Sequence, residues 1–256
     1  YFHINELILD GGADLTVLYK SRLSFDTLIA EGGSQEDPIS LSRGDDHPVP
    51  SSIYSDAETI ELKWGELYGI EAKGDADFIG VATLDLGNNP GWTFTKLDPE
   101  LVFSELESVT YGDESFELNA AIDEGLQVLY DTEDIDKIGI DGPSVSIEGA
   151  GQADVRAYFD GNDYYEAAEI IQPLTINKAL LTASPAPKSK VYGAELPEFT
   201  PLYSGFVHEE DASVIDTPPT GNTDASAESA VGEYEISLSG AEDNNYTFEY
   251  EPGTLT

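Results

Sequence analysis

A motif that returns at a fixed interval constrains a fold more than any single residue, because it sets unit length and unit number before a strand is placed. Two Tyr-Gly steps stand out, Val109-Thr-Tyr111-Gly112-Asp113 and Lys190-Val-Tyr192-Gly193-Ala194. Each is followed by a second marker, running from Gly151 through Asp160-Gly-Asn-Asp to Tyr164, and from Gly232 through Asp243-Asn-Asn to Tyr246. The interval from Tyr111 to Tyr164 matches that from Tyr192 to Tyr246 to within a single position. An earlier copy of the second marker runs from Gly65 to Phe78. Its Gly-to-aromatic interval equals that of Gly151 to Tyr164 and is one position shorter than that of Gly232 to Tyr246. This first unit has no Tyr-Gly step; counting back places its counterpart near Leu23-Ser-Phe25.

The junctions Lys96-Leu-Asp-Pro99 and Ile176-Asn-Lys-Ala179 divide the chain into units 1–97, 98–178 and 179–256. Junctions this short imply domains set end to end with little freedom. Within the units, Ser144-Val-Ser-Ile-Glu148, Asp154-Val-Arg-Ala-Tyr-Phe159 and Tyr234-Glu-Ile-Ser-Leu238 alternate apolar and polar residues, the period of half-buried strands. Turn signals such as Asp141-Gly-Pro143 and Glu251-Pro-Gly253 separate them. About seven strands per unit and a small sandwich follow from turns roughly every 8–12 residues. Asp131 to Ile138 reads as an inter-strand loop rather than an acidic helical turn, and 207–230 and 31–55 read as long loops. The expected fold class is therefore all-β, as tandem immunoglobulin-like β-sandwich domains in an end-to-end array. Residues 1–97 form a divergent member that includes the end of a preceding unit.

Composition then limits what such an array does. With 51 acidic and 11 basic residues the formal net charge is −40, which repels phosphate backbones and anionic headgroups. Nucleic-acid partners and membrane insertion are accordingly not expected, and no apolar run is long enough to span a bilayer. The acids are spread along the chain, so solubility in a salty setting, divalent cation binding and a basic partner all compete as explanations. Cysteine and methionine are both absent, which removes disulfides and thiolate chemistry and suits an oxidising, extracellular setting. The chain opens on Tyr1 and reads as a piece of a longer precursor.

Residues of the third unit, Lys190-Val-Tyr-Gly193, Phe199-Thr-Pro-Leu-Tyr-Ser-Gly205, Val231-Gly-Glu-Tyr-Glu-Ile236 and Asn244 to Thr256, resemble the MBG repeat of large bacterial surface proteins. The second unit resembles its common neighbour, a bacterial Ig-like repeat, in Val109 to Phe116, Val145 to Ala153, Gly161 to Ala168 and Leu174 to Ala179. The resemblance implies a secreted or cell-surface β-sandwich array that extends an adhesin, and it transfers no catalytic residues.

The chemistry-bearing residues agree. His3, His47 and His208 are scattered and no Gly-x-Ser-x-Gly elbow exists, so the chain is not expected to be an enzyme. Calcium is the one candidate cofactor. Its candidate ligands are Asp160, Asn162 and Asp163 in the second unit, Asp243, Asn244 and Asn245 in the third, and Asp75 and Asp77 in the first. Hairpin-turn chemistry explains the same residues without a metal. Tyr111, Tyr164, Tyr192 and Tyr246 stack on a ligand or, in the alternative, pack at strand ends. Trp64 and Trp92, confined to the first unit, are the candidate sugar-stacking platform or else core residues. Asn245-Tyr-Thr247 matches a glycosylation sequon. The leading function is a non-catalytic stalk or scaffold whose partners are neighbouring repeats and other cell-surface chains or glycans. The alternatives are a carbohydrate-binding first unit and an accessory region of a secreted enzyme.

Overall fold

The computed structural model describes residues 2–10, 14–17, 22–31, 38–43, 50–123 and 125–256. Its regular elements are strands, with one turn of 3-10 helix at Ala212–Val214 among the described residues. Two compact units are present. One combines Tyr1–Leu101, Ile122–Gln127 and Tyr158–Glu169; the other combines Val102–Ala121, Val128–Ala157 and Ile170–Thr256.

The first unit corrects the expectation of an immunoglobulin-like domain over 1–97. The strand pairings described from Phe2 to Thr95 are all parallel, whereas a sandwich of that family is built on antiparallel neighbours. Strands Asp14–Val17, Ile39–Arg43, Gly65–Tyr68 and Leu84–Asp85 stack into one four-stranded sheet. Along that stack Asp14 pairs with Ser40, Ile39 with Gly65, and Glu66 with Leu84, so the first two circuits are equal in length and the third is shorter. A chain that pairs in parallel with itself one circuit later is a β-solenoid, each coil contacting only its neighbours. Alternation alone does not separate the two folds, since both hide every second side chain.

Stacked coils bring like residues into columns. Leu15, Leu41 and Leu67 stand in register, as do Leu23, Ile53 and Ala72, and Ile60, Phe78 and Trp92. All nine belong to one hydrophobic cluster. The corners repeat too. Trp64 and Ala82 both have positive φ (54° and 45°), and Gly69 and Gly87 follow at the same spacing. Two corners carry buried polar side chains with full partners. Asn89 Oδ1 accepts from Ile70 N–H at 2.9 Å, and its Nδ2 donates to Leu67 O at 2.8 Å and to Asp85 Oδ1 at 2.6 Å. Thr83 Oγ1 donates to Leu62 O at 2.8 Å.

The second unit holds two small sandwiches. In the first, Val109–Thr110, Ala168–Asn177, Gly151–Phe159 and Leu129–Asp131 form one sheet, and Phe116–Glu117, Ser144–Ile147 and Ile138–Asp141 form the other. The second pairs the sheet of Pro201–Ser204, Ala179–Pro185 and Tyr246–Tyr250 with that of Thr220–Thr223, Tyr234–Ser239 and Gly253–Leu255. One buried cluster runs through both, from Phe103, Val145 and Val155 to Leu181, Ile215 and Tyr246. The expected long loops are partly strand: 207–230 contains Thr220–Thr223, and 31–55 contains Ile39–Arg43 and Ser51–Tyr54. His47 and the side chain of His3 lie outside the described residues.

Removing the Asn89 side chain leaves Ile70 N–H and Leu67 O unsatisfied in a buried corner, at a cost of about 2–3 kcal/mol. Both tryptophans belong to this unit, so their fluorescence follows its unfolding alone. Asn89→Ala is expected to lower the urea midpoint read by tryptophan emission; an unchanged midpoint contradicts the corner's role.

Candidate functional site

The sequence places one Tyr-Gly step at the end of strand Val109–Thr110, where the backbone must turn sharply. Gly112 takes φ +97°, and Asp113 closes the turn by accepting from Thr110 N–H at 2.7 Å. Tyr111 N–H donates to Asn177 O, which ties the turn to the last strand of the same sandwich. The tyrosine ring is thereby aimed at the following sandwich, where the loop after Pro201–Ser204 meets it.

That loop is held in a strained form. His208 and Glu209 are consecutive non-glycine residues in the left-handed region, at φ 53° and 58°, a conformation that persists only where its surroundings over-determine it. The result is to present Glu210 to two phenols. Tyr111 O–H donates to Oε1 at 2.9 Å, and Tyr246 O–H donates to Oε2 at 2.5 Å. Val207 N–H donates to the Tyr246 hydroxyl at 3.0 Å. Around these bonds the rings pack edge to face: Tyr111 on Tyr246 at 5.8 Å, Tyr111 on His208 at 5.2 Å, and Phe206 on Tyr246 at 5.5 Å. A second tie completes the joint, Ala150 N–H donating to Asn245 Oδ1 at 2.9 Å.

The environment opposes ionising either phenol. Burial, then the hydrogen bond to Glu210 and its negative charge, push the Tyr111 hydroxyl up to about 12. Burial and the Glu210 hydrogen bond raise Tyr246 as well, against the Val207 amide. Chemically the site is a neutral-donor clamp on a carboxylate that ties the two sandwiches together.

Three of the candidate metal ligands make hydrogen bonds within or beside their turns. Asn162 Oδ1 accepts from the backbone N–H groups of Tyr164 and Tyr165, both at 2.8 Å. Asp243 Oδ1 accepts from those of Asn245 and Tyr246, at 2.7 and 2.9 Å. Asn244 donates to Asp216 at 2.9 Å. Asp75, Asp160 and Asp163 are exposed between strands, and Asp77 is exposed at the start of strand Asp77–Val81. Among the described residues no group of three or more His, Asp or Glu side chains gathers around a point that could hold a metal. Asn162 and Asp243 also fix the repeat register. Asn162 stands to Asp243 as Tyr111 stands to Tyr192, at the same interval, so the residue equivalent to Tyr246 is Tyr165, not Tyr164.

The tryptophans form no open platform. Trp92 is 9% exposed and meets the ring of Phe78 at 5.3 Å. Trp64 is half-buried, with Tyr164 and Tyr165 against it at 5.9 and 5.6 Å. Sequence reasoning did not single out Glu210, one acid among 51; the apolar pair Phe206 and Val207 shortly before it is the signal that could have marked it.

Residues 181–256 match the family model described as MBG domain (YGX type). No curated protein matches the sequence. Among solved structures the chain is similar to the I-band fragment I67-I69 from titin, at 13% identity and TM-score 0.31, covering 65% of this chain and 67% of that one. It is also similar to Drosophila N-cadherin EC1-4, at 6% identity and TM-score 0.32, covering 64% and 50%. The four N-terminal Ig domains of Dscam1 isoform 9.44 match at 13% identity and TM-score 0.32, covering 66% and 48%. The match thus spans about half the length of the last two. The sandwich assignment rests on the strand ladders themselves.

Two outcomes are expected. A Cβ on Gly112 would stand 2.5 Å from Val207 Cγ1 at a φ that side chains avoid, so Gly112→Ala is expected to destabilise the sandwich pair by about 2 kcal/mol or more, read by urea unfolding in tyrosine circular dichroism. The second outcome concerns pH. Because the folded pKa of Tyr111 lies above its unfolded value near 10, the linked stability is fully present below pH ~10 and is lost as pH rises towards about 12. Glu210→Gln removes the charge that assists this shift. It is expected to bring the late-titrating tyrosines to lower pH in an absorbance titration; an unaltered titration contradicts the clamp.

Proposed function

We propose that this chain is a non-catalytic structural segment of a large extracellular bacterial surface protein, a stalk or adhesin scaffold built from tandem β modules. The observation that carries the reading is the shared buried core of the two sandwiches, closed by the Glu210 clamp. Domains joined by one core act as a single stiff element, which is what a spacer requires and what a flexible string of domains lacks. The MBG-domain match at 181–256 supports the surface setting. The β-solenoid suits the same role, since it lengthens by adding coils.

The composition supports this placement. A chain without cysteine or methionine presents no oxidisable sulfur. Its charge of −40 keeps it soluble and discourages lateral association without cations or basic partners. No helix among the described residues is long and apolar enough to cross a membrane. The partners proposed are neighbouring repeats of the same protein and other cell-surface chains. A glycan-binding first unit is disfavoured, because Trp92 is buried and Trp64 is half-buried beside Tyr164 and Tyr165.

Antibodies raised against this chain are expected to label intact cells of the organism that makes it, and brief protease treatment of those cells is expected to remove the label. Labelling that appears only after lysis overturns the surface role.

A further inference from the structure

The repeat register exposes a second joint that has no occupant among the described residues. Shifting each residue of the joint on the first sandwich by one repeat gives its equivalent on the second. Tyr111 and Gly112 become Tyr192 and Gly193, and Ala150 becomes Val231. Exposure inverts between the copies. Tyr111 is 5% exposed and Tyr192 69%; Ala150 is 6% exposed and Val231 100%. Gly193 keeps the positive φ of Gly112 (84° against 97°), so the turn that aims Tyr111 is preserved at Tyr192. A hollow of about 50 Å³ lies beside it, lined by Lys190, Tyr192, Val231, Tyr234 and Leu255 among others. Exposed apolar side chains gathered at one hollow, Tyr192 and Val231, mark an interaction face on a strongly acidic chain, and here the chain itself contains the filled version of that face.

We infer that the face built on Tyr192, Gly193 and Val231 docks a further β-sandwich repeat, one that presents an apolar residue and a carboxylate in the manner of Val207 and Glu210. This rests on the tandem reading above and specifies the contact that reading requires. The Tyr192 hydroxyl donates to the incoming carboxylate as Tyr111 donates to Glu210. Gly193 leaves room for the apolar residue, as Gly112 does for Val207, whose Cγ1 lies 2.5 Å from a Cβ built there. Lys190 replaces Val109 on this face and adds a positive charge beside the tyrosine, which complements a carboxylate-bearing loop. The Tyr-Gly step is thus a socket, and the loop at 206–210 is the plug that fits it.

The experiment appends a second copy of residues 176–256 after Thr256, which places the added Glu210 at the same distance beyond Tyr192 that Glu210 holds beyond Tyr111. The added copy carries Y192F, so a single Tyr192 is read. Tetranitromethane nitration, located by peptide mass spectrometry, measures the access of that residue. Docking is expected to lower its nitration by roughly tenfold relative to the unextended chain, and V207D with E210Q in the added copy is expected to restore it. If calorimetry shows the added copy folded while Tyr192 stays fully reactive, the socket is overturned and the tandem reading stands. If the added copy does not fold there, the tandem reading falls with it. If Tyr192 of the unextended chain is already protected in a concentration-dependent way, a second copy of the chain is the occupant and a following repeat is not.

Discussion

Between the two sandwiches a single carboxylate accepts hydrogen bonds from two phenols, and the arrangement answers a problem set by composition. A chain with 51 acids and 11 bases has few cations to place at an interface. A half-buried acid such as Glu210 needs partners all the same, because an unsatisfied one costs more than a satisfied one contributes. Neutral O–H donors meet that need without adding charge. Tyr111 and Tyr246 also bring rings, so the same two side chains satisfy Glu210 and close the apolar contact around it. The charged pairs present elsewhere, such as Lys73 with Glu71 and Lys137 with Asp136, lie on the surface, where such pairs contribute little.

The two architectures in this chain solve the strand-edge problem differently. In the solenoid each coil covers the hydrogen-bonding edge of the one before it, and columns such as Ile60, Phe78 and Trp92 extend the core with every turn. The sandwiches instead close a small core each and then merge them at the joint. In the solenoid the repeating coil is too small to be stable alone, so neighbouring coils supply what it lacks.

Much of the sandwich pair was legible because the interval from Tyr111 to Tyr192 fixes equivalent positions across the whole unit. The one slip, pairing Tyr164 with Tyr246, arose where two adjacent tyrosines compete for one role. Only the hydrogen bonds of Asn162 to both tyrosine amides decide it. The solenoid was not legible as such. Its strands show the alternation of any half-buried strand, and the circuit from Glu66 to Leu84 is shorter than that from Ile39 to Gly65, so no single period stands out. Two of its left-handed corners, Trp64 and Ala82, are not glycines, so the repeat of corners is only half marked in the sequence, by Gly69 and Gly87. Glu210 escaped notice because it is one acid among 51, and only the apolar pair Phe206 and Val207 shortly before it sets it apart. Of the candidate metal ligands, Asn162 and Asp243 accept from the backbone amides of their own turns, a use of the same residue types that the sequence does not separate from metal binding.

In the second sandwich the opening strand Ala179–Pro185 runs parallel to Tyr246–Tyr250, in register from Ala179↔Tyr246 to Ala183↔Tyr250. Tension along the chain pulls the two members of such a pair in opposite directions along their length. The load then falls on all the bonds of the ladder together, in shear, instead of opening them one after another like a zipper. Any pull transmitted along the chain by neighbouring segments is therefore shared across the whole ladder from Ala179↔Tyr246 to Ala183↔Tyr250.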